Sequence, residues 1–330
     1  ATIVDESGYS HFMYSKSGHP TYLSEIFMAT LDPLGAIYQS PSTLYSQVDS
    51  YSDLIVKAAY SSNDNCQLPD GGDCILTIFG KQKDGNETIN VIHGDSTPIS
   101  LGVDGEYQQF KDAVQTNDGV FVVWEENKNG NIDIFGQHID FEGNLLGAST
   151  GIVICDNTSE QKNPSIDYNS SLNEVMVCWD DRRNTDRDIY CASIELGSNT
   201  VNEIPITENK LQAQVNPYVK STLTDSYLVV WEESVIYSSG DVFTGDPVYY
   251  YDIMMQEIQS NQLVYGQDVV ACDAFHDQRN PRIDILTESV KNRLLTISAT
   301  STALLINLPR DRTITLFAPE VVNCITTAVT

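Results

Sequence analysis

The chain has 330 residues, 41% of them hydrophobic, and a net charge of −28 with an isoelectric point near 4.2. Such a surface repels nucleic-acid phosphates and anionic membranes, and no apolar run approaches the ~18 residues of a membrane span, so neither nucleic-acid binding nor membrane insertion is expected. The length allows one large domain or two ordinary ones, with enough apolar residues for a sizeable core.

In chain order, the first strand-like run is ATIV at the start, which reads as a mature N-terminus left after cleavage of a leader, or as a trimmed start. EIFMATLDPLGAIY follows from Glu25 and TIFGKQKDGN from Thr77. FVVWEENKNGNIDIFGQHIDFEGNLLG begins at Phe121, VMVCWDDRRNTDRDIYCASIELGSNTV at Val175, and YLVVWEES at Tyr227, the last resuming as YYDIMMQEIQSNQLVYG after an insertion. These runs are one phrase. All three tryptophans, Trp124, Trp179 and Trp231, hold the same place in it, and Asn-Pro opens a unit at Asn163, Asn216 and Asn280. Markers at 25, 77, 133, 188 and 252 recur at steps of 52 to 64 residues, a period that signals a repeat architecture.

Each unit reads as four short strands separated by Gly, Asn, Asp and Ser turns, with no sustained 3.6-residue periodicity. FVVW, VMVCW and YLVVW are continuous apolar runs, the pattern of strands buried on both faces. Four-stranded units of this kind, repeated, predict an all-β fold: a β-propeller of six four-stranded blades in a single domain over 1–330. The units fall at about 1–44, 45–100, 101–158, 159–210, 211–275 and 276–330.

The pattern N-P-x-[IV]-x-Y-N…V-x-V-W-x-D-x-R…D-I-Y…G, best matched by residues 163–196, resembles the repeats of secreted microbial β-propeller proteins, loosely sialidase-like in shape. The resemblance spans most of the chain and weakens at both ends. It implies fold and an extracellular setting, and no particular activity.

Seven cysteines agree with an oxidising compartment. Cys66 and Cys74 flank a Pro-Asp-Gly-Gly loop, and Cys178 and Cys191 lie on neighbouring strands of one hairpin; both pairs are expected to be disulfides. The pairing of Cys155, Cys272 and Cys324 stays open. Sequons at Asn86, Asn157 and Asn169 fall at turns or strand ends, where a glycan can be attached.

Signals for chemistry are thin. The histidines are scattered, and no metalloprotease, nucleophile-elbow or phosphate-loop motif occurs. A glycosidase needs two carboxylates across one bond, whereas the acids of WEE, WDD and WEE repeat with the blade and read as structural. No catalytic residue is assigned. No cofactor is expected apart from calcium, for which Asn127, Asn129, Asn131 and Asp133 alternate oxygen side chains around Gly130, against the competing reading of a polar Asn-Gly turn. The insertion over 234–250 offers Tyr237, Phe243, Tyr249, Tyr250 and Tyr251 as a projecting aromatic binding loop. Strand-like ends either close the ring or add to a neighbouring copy, which would propagate as a filament.

The expectation is therefore a secreted, non-enzymatic propeller acting as an extracellular structural or adhesive component, glycosylated and associating with copies of itself. The alternative is a carbohydrate-active enzyme, sialidase-like, or a glycan-binding module.

Overall fold

The computed structural model describes residues 2–4, 10–16, 24–47, 57–60, 75–83, 86–93, 97–102, 107–128, 130–208, 212–222, 224–238, 248–272, 278–287, 293–299 and 302–305. Among them every regular element is a β-strand. The chain divides into two compact units, Ala1–Asp156 and Asn157–Thr330.

In the first unit, β1 (Thr2–Val4), β2 (Ser10–Lys16), β3 (Ser24–Leu31) and β4 (Ile37–Gln47) form one antiparallel meander. A second contains β5 (Lys57–Tyr60), β6 (Ile75–Lys83), β7 (Asn86–His93) and β8 (Ile99–Leu101). The third runs β9 (Tyr107–Gln115), β10 (Gly119–Lys128) and β11 (Asn131–Asp140), against which both β12 (Leu145–Leu146) and β13 (Ile152–Cys155) pair. The N-terminal strand pairs with β2 of its own sheet, Ile3 opposite His11.

In the second unit, β14 (Gln161–Asn169), β15 (Glu174–Asp181), β16 (Asp188–Glu195) and β17 (Thr200–Pro205) make the fourth sheet. The fifth has β18 (Gln214–Ser221), β19 (Ser226–Ser238) and β20 (Val248–Gln259), with β21 (Gln262–Leu263) and β22 (Val269–Cys272) both on β20. The described part of the sixth is β23 (Arg282–Thr287), β24 (Arg293–Ala299) and β25 (Thr302–Leu305). Repeated up-and-down sheets of this kind are propeller blades, and the fold is an all-β propeller type.

The apolar runs explain the packing. Phe121, Val122, Val123 and Trp124 are all buried, and alternate residues serve opposite faces of β10. Val120, Val122 and Trp124 join Leu76, Ile78, Ile89 and Val91 of the preceding sheet in one core. In the second unit, Met176, Cys178 and Cys191 join Val219, Tyr227, Val229 and Trp231 in the same way. Sheet therefore stacks on sheet, and the central strands are apolar because both of their faces are covered.

The repeated tryptophan carries its own partner. Trp124 Nε1 donates to Glu126 at 2.9 Å and Trp179 Nε1 to Asp181 at 3.1 Å, so the acid two residues on satisfies a buried indole N–H. The fifth sheet departs from this. Trp231 Nε1 is buried without a hydrogen-bond partner, and Glu233 accepts from Gln214 Nε2 at 3.2 Å. Asn-Pro has a local cause too. Asn163, Asn216 and Asn280 have φ of 55°, 53° and 54°, a left-handed conformation that asparagine tolerates better than other side-chain-bearing residues. At the first two the strand register slips, which makes a β-bulge at the start of β14 and of β18.

The Cys178–Cys191 disulfide is present, closing a 13-residue separation across directly opposed residues of β15 and β16. Replacing both cysteines by alanine, or reducing the bond, is expected to cost about 2–4 kcal/mol. The check is the urea midpoint with and without reductant, which should move further in the wild type than in the double variant. Cys66, Cys74 and Cys324 lie outside the described residues. Cys155 and Cys272 are buried at matching places, opposite Ile134 and Ile253.

In the first unit His138 is buried, with Nε2 3.1 Å from Thr116 Oγ1 and 3.2 Å from Asp118 Oδ1. Burial pulls its pKa below the ordinary 6.5, and the nearby Asp118 and Asp140 charges only partly oppose this. The unfolded chain then binds the proton more readily than the folded one. The contribution to stability is whole above 6.5 and is lost as pH falls from there through the depressed folded value. His138→Gln is expected to flatten the fall in urea midpoint between neutral and mildly acidic pH.

Candidate functional site

At the β15–β16 hairpin end of the fourth sheet, the acids of the repeated phrase are buried and bound. Asp180 is 0% exposed, accepts from Asn163 Nδ2 at 2.8 Å, and forms an ion pair with Arg187, which also meets Glu160 at 2.6 Å. Lys162 chiefly, aided by Arg187, holds the Glu160 carboxyl below the usual range. Arg183 bridges Asp181 at 2.7 Å and Glu203 at 2.6 Å and lies 3.9 Å over the Tyr190 ring. Burial pushes the Tyr190 phenol up to about 12. The fifth sheet repeats the scheme with other partners. Glu232 accepts from Arg279 Nη1 at 3.0 Å and from the Asn280 backbone N–H at 2.7 Å. These acids tie each hairpin to the start of a first strand, and a carboxylate committed to that task is not poised for chemistry.

The aromatic loop is only partly described. β19 and β20 extend into the insertion from its two sides, as far as Ser238 and Val248, with Tyr237, Tyr249, Tyr250 and Tyr251 in these strands. Arg279 stacks 3.4 Å over Tyr251, so that ring packs against its own chain instead of projecting as an open platform. Phe243 lies outside the described residues, and so do the side chains of Tyr237 and Tyr249.

The calcium set does not converge. Asn131 Nδ2 donates to Asp133 Oδ1 at 2.8 Å, which places those two on one face of β11. Asn127 stands opposite Ile132, and Asp133 opposite Glu126, so strand alternation turns Asn127 to the other face. Asn129 lies outside the described residues.

The sequons differ in placement. Asn86 opens β7, and Asn157 is half-buried, accepting from the Ser159 backbone N–H at 3.4 Å. Asn169 is a correction: it is 3% exposed, and its Nδ2, the atom a glycan would occupy, donates to Thr224 O at 2.7 Å. The folded chain offers no acceptor there.

Asn169 instead helps to build a cleft at the opposite end of the same sheets. Its Oδ1 accepts from the Ser171 backbone N–H at 3.0 Å and shapes the β14–β15 turn, while Nδ2 ties that turn to the β18–β19 turn beside Asp225. Tyr227 Oη donates to Glu174 O at 2.8 Å and locks the start of β15 against β19. Ser260 and Asn261, both at positive φ, make the tight β20–β21 turn that forms the rim. The resulting cleft, about 120 Å³, is lined by Glu174, Asp225, Leu172, Met176, Tyr227 and Ile258, with Ser260 and Asn261 at its edge.

Two acidic residues thus line one cavity in unlike settings. Glu174 is half-buried, and Asp225 is exposed, accepting from Gln259 Nε2 at 2.9 Å. Desolvation raises the Glu174 pKa above the usual carboxyl range. The hydroxyls of Ser193 and Tyr227 pull against this, and the like charge of Glu195, directly opposite on β16, adds to it. A carboxyl with a raised pKa beside a second one in a more solvated setting is the arrangement that divides acid from base or nucleophile in glycoside cleavage. Sequence reasoning missed this pair: Glu174 sits at a strand start in no motif, and what buries it comes from the next sheet.

No family model matches the sequence, and no curated protein does. Solved structures similar to this chain include a thermostable family-43 glycoside hydrolase, at 11% identity over 84% of this chain and 95% of that chain, with a TM-score of 0.41. An α-L-arabinofuranosidase of Fusarium graminearum matches at 10% identity over 76% and 75%, with a TM-score of 0.45. TolB of Acinetobacter baumannii matches at 14% identity over 89% and 63%, with a TM-score of 0.39. The likeness is one of fold. Most of these neighbours are glycoside hydrolases. The expectations of a non-enzymatic structural or adhesive component, and of no enzyme, are corrected to this extent: these neighbours give them no support.

Proposed function

We propose that this propeller is a secreted carbohydrate-active enzyme that cleaves a glycosidic bond at the Glu174–Asp225 cleft. The observation that carries the reading is the pair itself: a half-buried carboxyl with a raised pKa and an exposed carboxyl lining one cavity. Glu174 donates its proton to the glycosidic oxygen as the bond to the anomeric carbon breaks. Asp225 either takes a proton from the attacking water or attacks the anomeric carbon itself, and the anomeric configuration of the product reports which. Leu172, Met176 and Ile258 supply an apolar wall for the C–H face of a sugar ring. Secretion is supported by the Cys178–Cys191 bond, which persists in oxidising surroundings, and Asn157 is the sequon position with a half-buried side chain next to an exposed Thr158.

The test is hydrolysis of a panel of neutral aryl glycosides and oligosaccharides by the full chain. Turnover that disappears in Glu174→Gln and in Asp225→Asn, with the urea midpoint of neither variant lowered, supports the reading. A panel with no turnover, or turnover that survives both substitutions, overturns it.

A further inference from the structure

The charges around the cleft are of one sign. Asp225 lies at its exposed side, and Glu174 faces Glu195 directly across β15 and β16. No lysine, arginine or histidine is among the residues that line it. Of the described basic groups of these two sheets, Arg183 and Arg187 bind acids at the hairpin end, and Lys220 is tied to Asp167 at 2.9 Å. On a chain of net charge −28, this corner repels an anion and draws in a cation. Its other surfaces are the apolar side chains of Leu172, Met176 and Ile258 and the polar rim at Ser260 and Asn261. A ligand that satisfies all of these has an apolar ring face, hydroxyl groups and a positive charge.

We propose that the cleft selects sugars bearing a protonated amine, 2-amino-2-deoxy glycans, over neutral sugars and against carboxylated ones. The amine sits toward Asp225 and Glu195, and the ring lies on the apolar wall. This rests on the reading of the cleft as a saccharide site and gives it a substrate class, one that runs opposite to a sialidase-like preference. Glu195 is exposed and accepts from Ser198 Oγ at 3.0 Å, a contact a glutamine can keep, so its charge can be removed without opening the core.

The experiment is calorimetric titration of the full chain with glucosamine oligomers, their N-acetylated counterparts and glucuronate oligomers. Glucosamine oligomers are expected to bind roughly tenfold tighter than the acetylated form, with glucuronate weakest, and the preference should shrink at ~0.5 M salt as charges are screened. Glu195→Gln is expected to cut the preference roughly fivefold while leaving the acetylated oligomer's affinity in place. Equal affinity for the amine and its acetylated form, or a preference untouched by Glu195→Gln and by salt, overturns the inference. Because binding is read apart from turnover, hydrolysis of neutral glycosides with no amine preference sinks this inference alone. An amine preference without any hydrolysis sinks the catalytic reading alone.

Discussion

Asp180→Ala is expected to destabilise the second unit by about 1.5–3 kcal/mol, because it takes a fully buried charged acceptor from two part-buried donors at once. Arg187 loses the ion pair that, with Glu160, holds it over the hairpin, and Asn163 Nδ2 loses an acceptor 2.8 Å away. Asn163 is also the residue whose positive φ makes the bulge that starts β14, so the loss reaches the strand entry as well as the side chain. Asp180→Asn keeps the shape and one acceptor oxygen and should fall between the alanine variant and the wild type. Urea midpoints, with tryptophan fluorescence as readout, check the order. Glu125→Ala in the first unit provides the comparison. Glu125 meets Lys111 at 3.0 Å, and that lysine is 20% exposed against 18% for Arg187, so a comparable loss is expected. A loss at Asp180 with none at Glu125 would show that the phrase is held by something other than these pairings.

The same residues show which parts of the molecule were legible in the sequence. The phrase around Trp124, Trp179 and Trp231 is visible because each sheet meets one packing problem with one solution, a buried indole and, in two of the three, an acid two residues later to take its N–H. Asn-Pro was visible as punctuation. The buried Gln161, Gln214 and Gln278, each two residues ahead of that asparagine, were equally periodic and were passed over. Their role appears only when sheets are stacked: the Gln214 backbone N–H donates to Arg187 O at 2.8 Å, and Gln278 repeats the bond to Tyr251 O at 2.9 Å. The calcium set failed on strand alternation, which sends Asn127 away from Asp133. Asn169 carried a sequon pattern, yet its amide is spent on Thr224, 55 residues away. The cleft was illegible for the same reason. Glu174 owes its pKa to burial beneath a neighbouring sheet and to Glu195 opposite, and local spacing reports neither.

Glu174→Gln is expected to lower glycoside turnover by roughly 10²–10⁴-fold, the usual weight of a positioned general acid. The size of the loss is less telling than its pH dependence. With Glu174 present, activity should fall as pH rises through its raised pKa, because the group must be protonated to act. In the glutamine variant that basic limb should vanish, leaving a low, flat rate. Stability should respond in the opposite sense to a simple loss of function. A carboxyl whose folded pKa lies above its unfolded one contributes stability that is fully present below the unfolded value and is lost as pH rises through the folded value. Glutamine cannot ionise, so Glu174→Gln should leave the urea midpoint unchanged at acid pH and raise it at neutral pH, where the wild type keeps a carboxylate half-buried opposite Glu195. A variant that is more stable at neutral pH and nearly inactive is the mark of a group whose burial serves chemistry at some cost to the fold. One that is destabilised at every pH would place Glu174 among the structural acids, alongside Asp180 and Glu232.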